Sequence, residues 1–227
     1  MKAMILAAGL GQRMRPLTDQ LPKPLLSVGG KPLLQYHLEN LHAAGVRQVV
    51  INLAYLGEKI RAFVGDGSRF DLQVEYSEEP EPLETAGAIL KALPLLGDEP
   101  FVLVNGDVWS DYPLQNLIRH SLDRQFSGHL VLVPNPAFHP SGDFALAQAG
   151  LLVTDPDHPR YTFAGISLLR PQMIAEYPQC REKFPLGEVL RHEIAQGRLT
   201  AEVYEGAWSD VGTPERLAVL DGELGCG

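Results

Sequence analysis

The sequence predicts an α/β fold in which a Rossmann-like, mixed and mostly parallel sheet carries helices on both faces. Strand-like and helix-like segments alternate through the first half of the chain, which is typical of βαβ units. The strand at 101–104 is an unbroken apolar run, as expected of a strand buried on both sides. The second half is less regular and is typical of strands in a meander, so we expect a mixed sheet.

In the first half, periodicity and helix-ending residues define the elements. Leu34, Leu38 and Leu41 fall on one face of the first helix, and Gly45 ends it. Pro94 is expected to end the third helix because it cannot continue the hydrogen-bond ladder. The predicted strands are 3–8, 48–53, 72–76 and 101–104, and the predicted helices are 32–44, 57–64, 85–93 and 114–124.

The second half continues without a linker, a repeat or a low-complexity tract. Pro214 stands at the first turn of the closing helix, a position that suits its fixed backbone angle. The predicted strands are 129–134, 145–154, 161–169 and 201–204, and the predicted helices are 186–196 and 214–224. We therefore expect a single domain over residues 1–227, with halves of about 1–110 and 111–227.

Composition limits the classes of function. The net charge of −9 disfavours a nucleic-acid partner, since an acidic surface repels phosphates. No run of eighteen apolar residues occurs, so no membrane association is expected. Two cysteines, Cys180 and Cys226, form no disulfide framework, and a reducing cytoplasm is expected. Residues 1–31 hold five basic side chains against one acid, Asp19, a local charge of +4 that suits a small anionic ligand.

The segment 6–26, LAAGLGQRMRPLTDQLPKPLL, carries the chemistry. Gly9 and Gly11 follow the first strand, where glycine lets backbone N–H groups approach phosphate oxygens. Arg13 and Lys23 then supply fixed cations. A dinucleotide fingerprint would require glycine at position 14, where Met14 stands, and a P-loop would require Gly-Lys-Ser/Thr. The segment therefore predicts a polyphosphate cradle of another type.

The pattern G-x-G-x-R-M-x-P-L-T followed by P-K-P-L resembles the sugar nucleotidyltransferases, which join a nucleoside triphosphate to a sugar 1-phosphate. The resemblance implies the nucleotide-diphospho-sugar transferase fold, with UTP or another nucleoside triphosphate bound in the first half and the sugar in the second. It implies that Arg13 contacts the departing pyrophosphate and Lys23 the α-phosphate or sugar phosphate, both as catalytic residues. The nucleotide-binding residues it implies are Ala8, Gly9, Gly11, Gln12, Arg13, Lys23, Ala86 and Gly87.

Two aspartates match the metal ligands of this family. Asp107 follows the strand 101–104 in Asn-Gly-Asp, and Asp210 lies in Trp-Ser-Asp-Val-Gly-Thr-Pro. The resemblance implies that they hold Mg²⁺, which takes few protein oxygens and completes its shell with phosphates and water. A lone aspartate after a strand is otherwise usually a turn former. Asp210 is not needed as a helix cap, since Thr213 is better placed directly before the closing helix.

The remaining matches concern the base and the sugar. The segment Pro82–Gly87 resembles the stretch that recognises the base, so the backbone of Ala86 and Gly87 is expected to contact it. Glu84 stands where many members carry glycine. For the sugar, the resemblance implies contacts from Asn105, Asp143 and Gly165, although a glycine within a strand can also mark a bulge.

The specificity stays open at this point. The chain looks most similar to short members that transfer a uridylyl group from UTP to N-acetyl-α-muramate 1-phosphate in cell-wall recycling. Mannose 1-phosphate guanylyltransferases and glucose 1-phosphate thymidylyl- or uridylyltransferases share the motifs. A non-catalytic, sugar-nucleotide-binding regulatory subunit is an alternative of another class. A glycosyltransferase would usually show Asp-x-Asp, but position 109 is Trp. The sequence does not give the oligomeric state and is compatible with a monomer.

Overall fold

A computed structural model describes residues 1–225, and Cys226 therefore lies outside the described residues. The strands are β1 (Lys2–Leu6), β2 (Ser27–Val28), β3 (Lys31–Pro32), β4 (Gln48–Leu53), β5 (Gln73–Glu78), β6 (Phe101–Asn105), β7 (Val108–Ser110), β8 (Gly128–Val133), β9 (Phe144–Leu146), β10 (Leu152–Val153), β11 (Arg160–Leu169), β12 (Leu199–Val203) and β13 (Trp208–Asp210). The helices are α1 (Leu33–Ala43), α2 (Gly57–Val64), α3 (Glu84–Leu96), α4 (Leu114–Arg119), α5 (Gln172–Ala175), α6 (Leu186–Ala195) and α7 (Pro214–Gly225).

Nine of these strands form one sheet that contains strands from both halves of the chain. Its order is β10-β9-β11-β6-β1-β4-β5, and β8 pairs with β11 and with β12. Strands β6, β1, β4 and β5 are parallel, whereas β11 runs antiparallel to β6. The mixed sheet predicted from the sequence is thus confirmed. Because the chain moves from β1 to β4 on one side and returns to β6 on the other, the strand order reverses beside β1, where ligands bind in such sheets.

Helices cover both faces of the sheet, as predicted. Leu38 of α1, Ile60 of α2 and Leu117 of α4 are fully buried in one apolar cluster with β1, β4 and β6. Ile89 of α3 and Val189 of α6 are fully buried in a second cluster on the opposite face. The core therefore consists mainly of two layers, one on each face of the central sheet. Over residues 1–225, none of the helices is long and apolar enough to cross a membrane.

Two of the predicted helix ends were wrong. Helix α3 continues past Pro94 to Leu96, because a proline in the last turn removes one hydrogen bond while Gly97 N–H still donates to Leu93 O at 2.9 Å. Helix α4 ends at Arg119, not at position 124. The helix does not continue there, because the carbonyls of Leu122 and Phe126 accept hydrogen bonds from the Arg170 guanidinium instead.

The predicted strand 145–154 is two short strands, β9 and β10. The chain turns between them through Gln148–Gly150, where Ala149 and Gly150 have positive φ. These strands lie at the sheet edge, next to β11, and a turn there lets the chain reverse direction.

Candidate active site

A cavity of about 230 Å³ opens where β1 and β6 end, at the point where the strand order reverses. Ala8, Gly9 and Lys23 line it on one side, and Asn105 and Asp107 on the other. The cavity thus brings together residues of the glycine loop and the Asn-Gly-Asp turn, which the sequence placed only by resemblance.

The glycine loop folds back on itself. Gly11 has φ +62°, and a Cβ there would come within 2.9 Å of Thr18 Cγ2. The buried Thr18 hydroxyl donates to Gly11 O at 2.7 Å, which explains the threonine of the Pro-Leu-Thr motif. A Cβ on Gly9 would meet no atom within 4 Å, so its backbone borders open space. Gln12 is exposed in a short 3-10 turn after Gly11.

Lys23 lies against Asp107. Its Nζ donates to Asp107 Oδ2 at 2.6 Å, and the side chain of Lys23 is 10% exposed whereas that of Asp107 is 41% exposed. Behind this pair lies His37. Burial lowers the pKa of His37 to about 4, and the nearby Asp107 opposes this shift to a smaller extent. His37 is therefore neutral near pH 7, and Lys23 is the cation that faces Asp107.

Asp210 reaches the same place through a two-stranded ribbon. Strands β7 and β13 are antiparallel, with Asp210 opposite Val108, and Val211 N–H donates to Asp107 O at 2.9 Å. Residues that are distant in sequence thus become neighbours across one short ladder. The Arg216 guanidinium donates from Nη1 to Asp210 Oδ2 at 2.9 Å. The Arg216 N–H also lies 3.4 Å from Thr213 Oγ1, the contact expected of Thr213 as a helix cap.

The donor set at this ribbon fits Mg²⁺. Asp107 and Asp210 line one cavity. Each accepts a hydrogen bond through Oδ2, Asp107 from Lys23 and Asp210 from Arg216. Among residues 1–225, no group of three or more His, Cys, Asp or Glu side chains that could hold a metal ion is found. Two carboxylates suffice for Mg²⁺ when phosphate oxygens and water complete its shell.

A second cavity, of about 450 Å³, adjoins the first at Asn105 and Asp107. Arg13, Asp143 and Asp210 also line it. Asp143 accepts the Phe163 N–H at 2.8 Å through Oδ2, and its Oδ1 lies 3.1 Å from His139 Nε2. Asp143 therefore borders the predicted sugar side while its carboxylate also holds the loop 136–143 against β11.

Gly165 acts on this cavity through Asn105. It has φ +73° and lies at an irregularity of β11 between Phe163 and Ile166. A Cβ on Gly165 would come within 2.8 Å of Asn105 Nδ2. The space left by the missing side chain is thus filled by the Asn105 amide, so Gly165 positions Asn105 rather than opening an apolar face to the sugar.

The base-side segment differs from the expectation. The N–H groups of Ala86 and Gly87 both donate to Phe184 O, at 3.0 and 3.2 Å. A Cβ on Gly87 would lie 2.3 Å from Glu182 O, so this glycine permits a close approach of the chain 182–184. The structure does not bring these two N–H groups to the cavity. Glu84 lines the cavity instead, and it keeps the glycine-like φ of +60°.

Sequence reasoning missed a buried polar network beside the first cavity. Asn52 Oδ1 accepts the Ala7 N–H at 2.7 Å, and Asn52 Nδ2 donates to Glu79 Oε1 at 2.7 Å. Glu79 Oε2 then accepts the Leu83 N–H at 3.0 Å. The network ties the glycine loop to the base-side segment. The signal available in the sequence was an asparagine within the apolar run QVVINL, since buried polar side chains require partners.

Comparisons with known proteins agree with this geometry. A family model described as nucleotidyl transferase matches residues 2–222. The chain is 46% identical over 221 residues to an N-acetylmuramate alpha-1-phosphate uridylyltransferase of Neisseria meningitidis serogroup B, covering 96% of this chain and 95% of that protein. It is 32% identical to a mannose-1-phosphate guanyltransferase of Hypocrea jecorina, covering 95% of this chain and 62% of the relative.

Solved structures share the fold. A putative glucose-1-phosphate thymidylyltransferase from Bacillus anthracis superposes with a TM-score of 0.88 at 19% identity, covering 99% of this chain and 95% of that one. HddC from Yersinia pseudotuberculosis, complexed with GMP-PN, has a TM-score of 0.80 at 26% identity and covers 98% of both chains. With the family match spanning almost all described residues, this chain belongs to the nucleotidyl transferase family.

Proposed function

We propose that this protein transfers a uridylyl group from UTP to N-acetyl-α-muramate 1-phosphate, giving UDP-N-acetylmuramate and pyrophosphate. The observation that carries the proposal is the 46% identity, over nearly the full length of both chains, to a relative named for this reaction. The mannose transferase is less similar and is matched over 62% of its length. The muramate product is a cell-wall precursor, so we place the reaction in cytoplasmic cell-wall recycling.

The two adjoining cavities support this chemistry. A sugar phosphate oxygen attacks the α-phosphorus in line, the bond from that phosphorus to the bridging oxygen of the β-phosphate breaks, and pyrophosphate leaves with the electron pair. The nucleophile is already ionised at pH 7, because the second pKa of a phosphate monoester is about 6. No general base is needed, and the obstacle is the repulsion between two polyanions.

The side chains of the site act on that repulsion. Lys23, held at the cavity between the glycine loop and Asp107, would bind the α-phosphate and stabilise the charge that develops there. Arg13, exposed on the second cavity, would hold the leaving pyrophosphate. Asn105 lies where the two cavities meet, and would donate to the sugar phosphate or sugar.

Asp107 and Asp210 would hold Mg²⁺. When bound, the ion neutralises phosphate charge and orients the triphosphate. Asp107 lies directly before β7, Asp210 ends β13 opposite Val108, and both line the second cavity, which supports their binding one ion together.

The test is pyrophosphate release, measured with UTP, GTP, dTTP and CTP against N-acetylmuramate, N-acetylglucosamine, mannose and glucose 1-phosphates. We expect turnover with UTP and the muramate compound, and its loss on chelation with recovery on adding Mg²⁺. A different preferred pair, such as GTP with mannose 1-phosphate, would overturn the assignment of substrates. Nucleotide binding without turnover for any pair would instead indicate a non-catalytic, regulatory sugar-nucleotide-binding protein.

A further inference from the structure

The second cavity contains a cation that the phosphate chemistry does not use. Arg216 lies in the first turn of α7 and directs its guanidinium into this cavity, next to Asp210. Its side chain is 20% exposed. Lys23 and Arg13 already serve the phosphates in the proposed reaction, so Arg216 is available for another group.

The Arg216 guanidinium is held in place by its neighbours, but most of its N–H donors are not used by the described residues. Its Cζ lies 4.1 Å from the ring centroid of Phe138, which is 55% exposed. Gly212 lacks the Cβ that would come within 2.2 Å of Arg216 Nη2. A guanidinium has five N–H donors, and within residues 1–225 only Nη1 makes a hydrogen bond, to Asp210. Stacking on a ring fixes the plane and leaves the edge free for a planar anion.

The charged side chains that line the second cavity decide where an anionic group of the substrate can bind. Asp107, Asp143 and Asp210 line the cavity and repel a carboxylate, whereas the cations that line it are Arg13, Arg216 and, when protonated, His139. His139 already contacts Asp143 through Nε2 at 3.1 Å. With Arg13 assigned to the pyrophosphate, a second negative group on the sugar would find its partner in the Arg216 donors that Asp210 does not use.

N-acetylmuramate differs from N-acetylglucosamine by a lactyl ether that ends in a carboxylate. Resting on the proposed function, we infer that Arg216 binds this carboxylate and makes the site selective for a sugar 1-phosphate that carries an acid group. A neutral hexose phosphate offers no such partner. Arg216 is thus a specificity residue, distinct from the phosphate-binding Lys23 and Arg13.

The experiment compares two substrates that differ only in the lactyl group. The values of kcat/KM are measured for N-acetylmuramate and N-acetylglucosamine 1-phosphates, with UTP and Mg²⁺, in the wild type and in Arg216→Met. We expect the preference for the muramate compound to fall about tenfold or more, as for a lost hydrogen bond to a charged group. Arg216→Lys should restore part of that preference, since it keeps the charge and loses the fork.

A matched control is Arg69→Met, because Arg69 also stacks on a phenylalanine, with Cζ 4.1 Å from the Phe63 ring centroid, but does not line either cavity. It should leave the preference unchanged. Equal losses on both substrates in Arg216→Met would show that Arg216 acts only through Asp210, and would overturn the inference.

A second measurement avoids both chemistry and metal. Equilibrium binding of UDP-N-acetylmuramate and UDP-N-acetylglucosamine is measured in the presence of a chelator. We expect the wild type to prefer the muramate product and Arg216→Met to lose that preference. Equal wild-type affinities would overturn the carboxylate contact even if the substrate panel supported the proposed function. A panel that selects a neutral hexose phosphate would overturn the proposed function itself.

Discussion

Replacing Lys23 by methionine tests the electrostatic argument most directly. The substitution keeps the length and apolar stem of a side chain that is only 10% exposed, and it removes the ammonium that lies 2.6 Å from Asp107 Oδ2. The change therefore deletes one charge at the end of the first cavity while preserving the packing around it.

The expected size of the effect follows from the geometry. A preorganised donor aimed at developing charge is worth about 10²–10³ in kcat. Because the Asp107 side chain is 41% exposed, water partly screens this site, and we expect the lower end, about 100-fold or about 2.7 kcal/mol. The ion pair itself should contribute at most about 1 kcal/mol to folding, since one partner is well solvated.

Two readouts separate these effects. Lys23→Met should lose about 100-fold in kcat/KM for pyrophosphate release while its Tm stays within a few degrees of the wild type. Asp107→Ala should lose at least about tenfold. Lys31→Met is the matched control, because Lys31 Nζ also pairs with a carboxylate, Glu39 Oε2, at 2.5 Å but lies outside both cavities. Near-normal turnover in Lys23→Met at saturating substrates would refute its role.

Three further outcomes are expected. Gly165→Ala should lower the free energy of unfolding by about 1–2 kcal/mol, the cost of a left-handed residue, and raise the KM for the sugar phosphate by displacing Asn105. An unchanged KM would contradict the role of Gly165 in positioning Asn105. Glu84→Gly should relieve about 1 kcal/mol of backbone strain and change KM for the nucleotide, whereas lower stability in urea would contradict the strain. Burial, reinforced by His120, lowers the pKa of His129 to about 4, so below pH 6.5 the unfolded chain binds a proton that the folded chain does not. As the pH falls from 6.5 to about 4, the contribution of His129 to the free energy of unfolding therefore decreases, by about 2 kcal/mol at pH 5. NMR titration that finds His129 charged at pH 6 would exclude this.

Much of the central sheet could be predicted because its signals are local. The run FVLV has no polar position, and β6 is indeed buried on both faces. Helix α2 has the predicted bounds because its apolar residues recur at helical spacing between a turn and Gly65. The end of α4 could not be predicted, since the carbonyl of Leu122 accepts a hydrogen bond from Arg170, which is distant in sequence.

The site shows the same division. Gly9, Lys23 and Asp107 lie on one cavity, as the motifs indicated. The Ala86 and Gly87 N–H groups turn away because Phe184 O, about a hundred residues later, accepts them. A motif gives residue type and order, whereas a hydrogen bond from a distant segment decides which backbone groups stay free.

The basic N-terminal segment has to be interpreted differently once the fold is known. Its excess positive charge is largely paired: the ion pairs are Arg15–Asp19, Lys23–Asp107 and Lys31–Glu39. The two cavities together carry three cationic side chains against five carboxylates, a formal charge of −2 with His139 neutral. A site of that charge does not attract two polyanions through its side chains alone. On the proposal that Asp107 and Asp210 hold a divalent cation together with the triphosphate, that ion supplies the missing attraction, so we expect both aspartates to affect the KM for UTP as well as turnover.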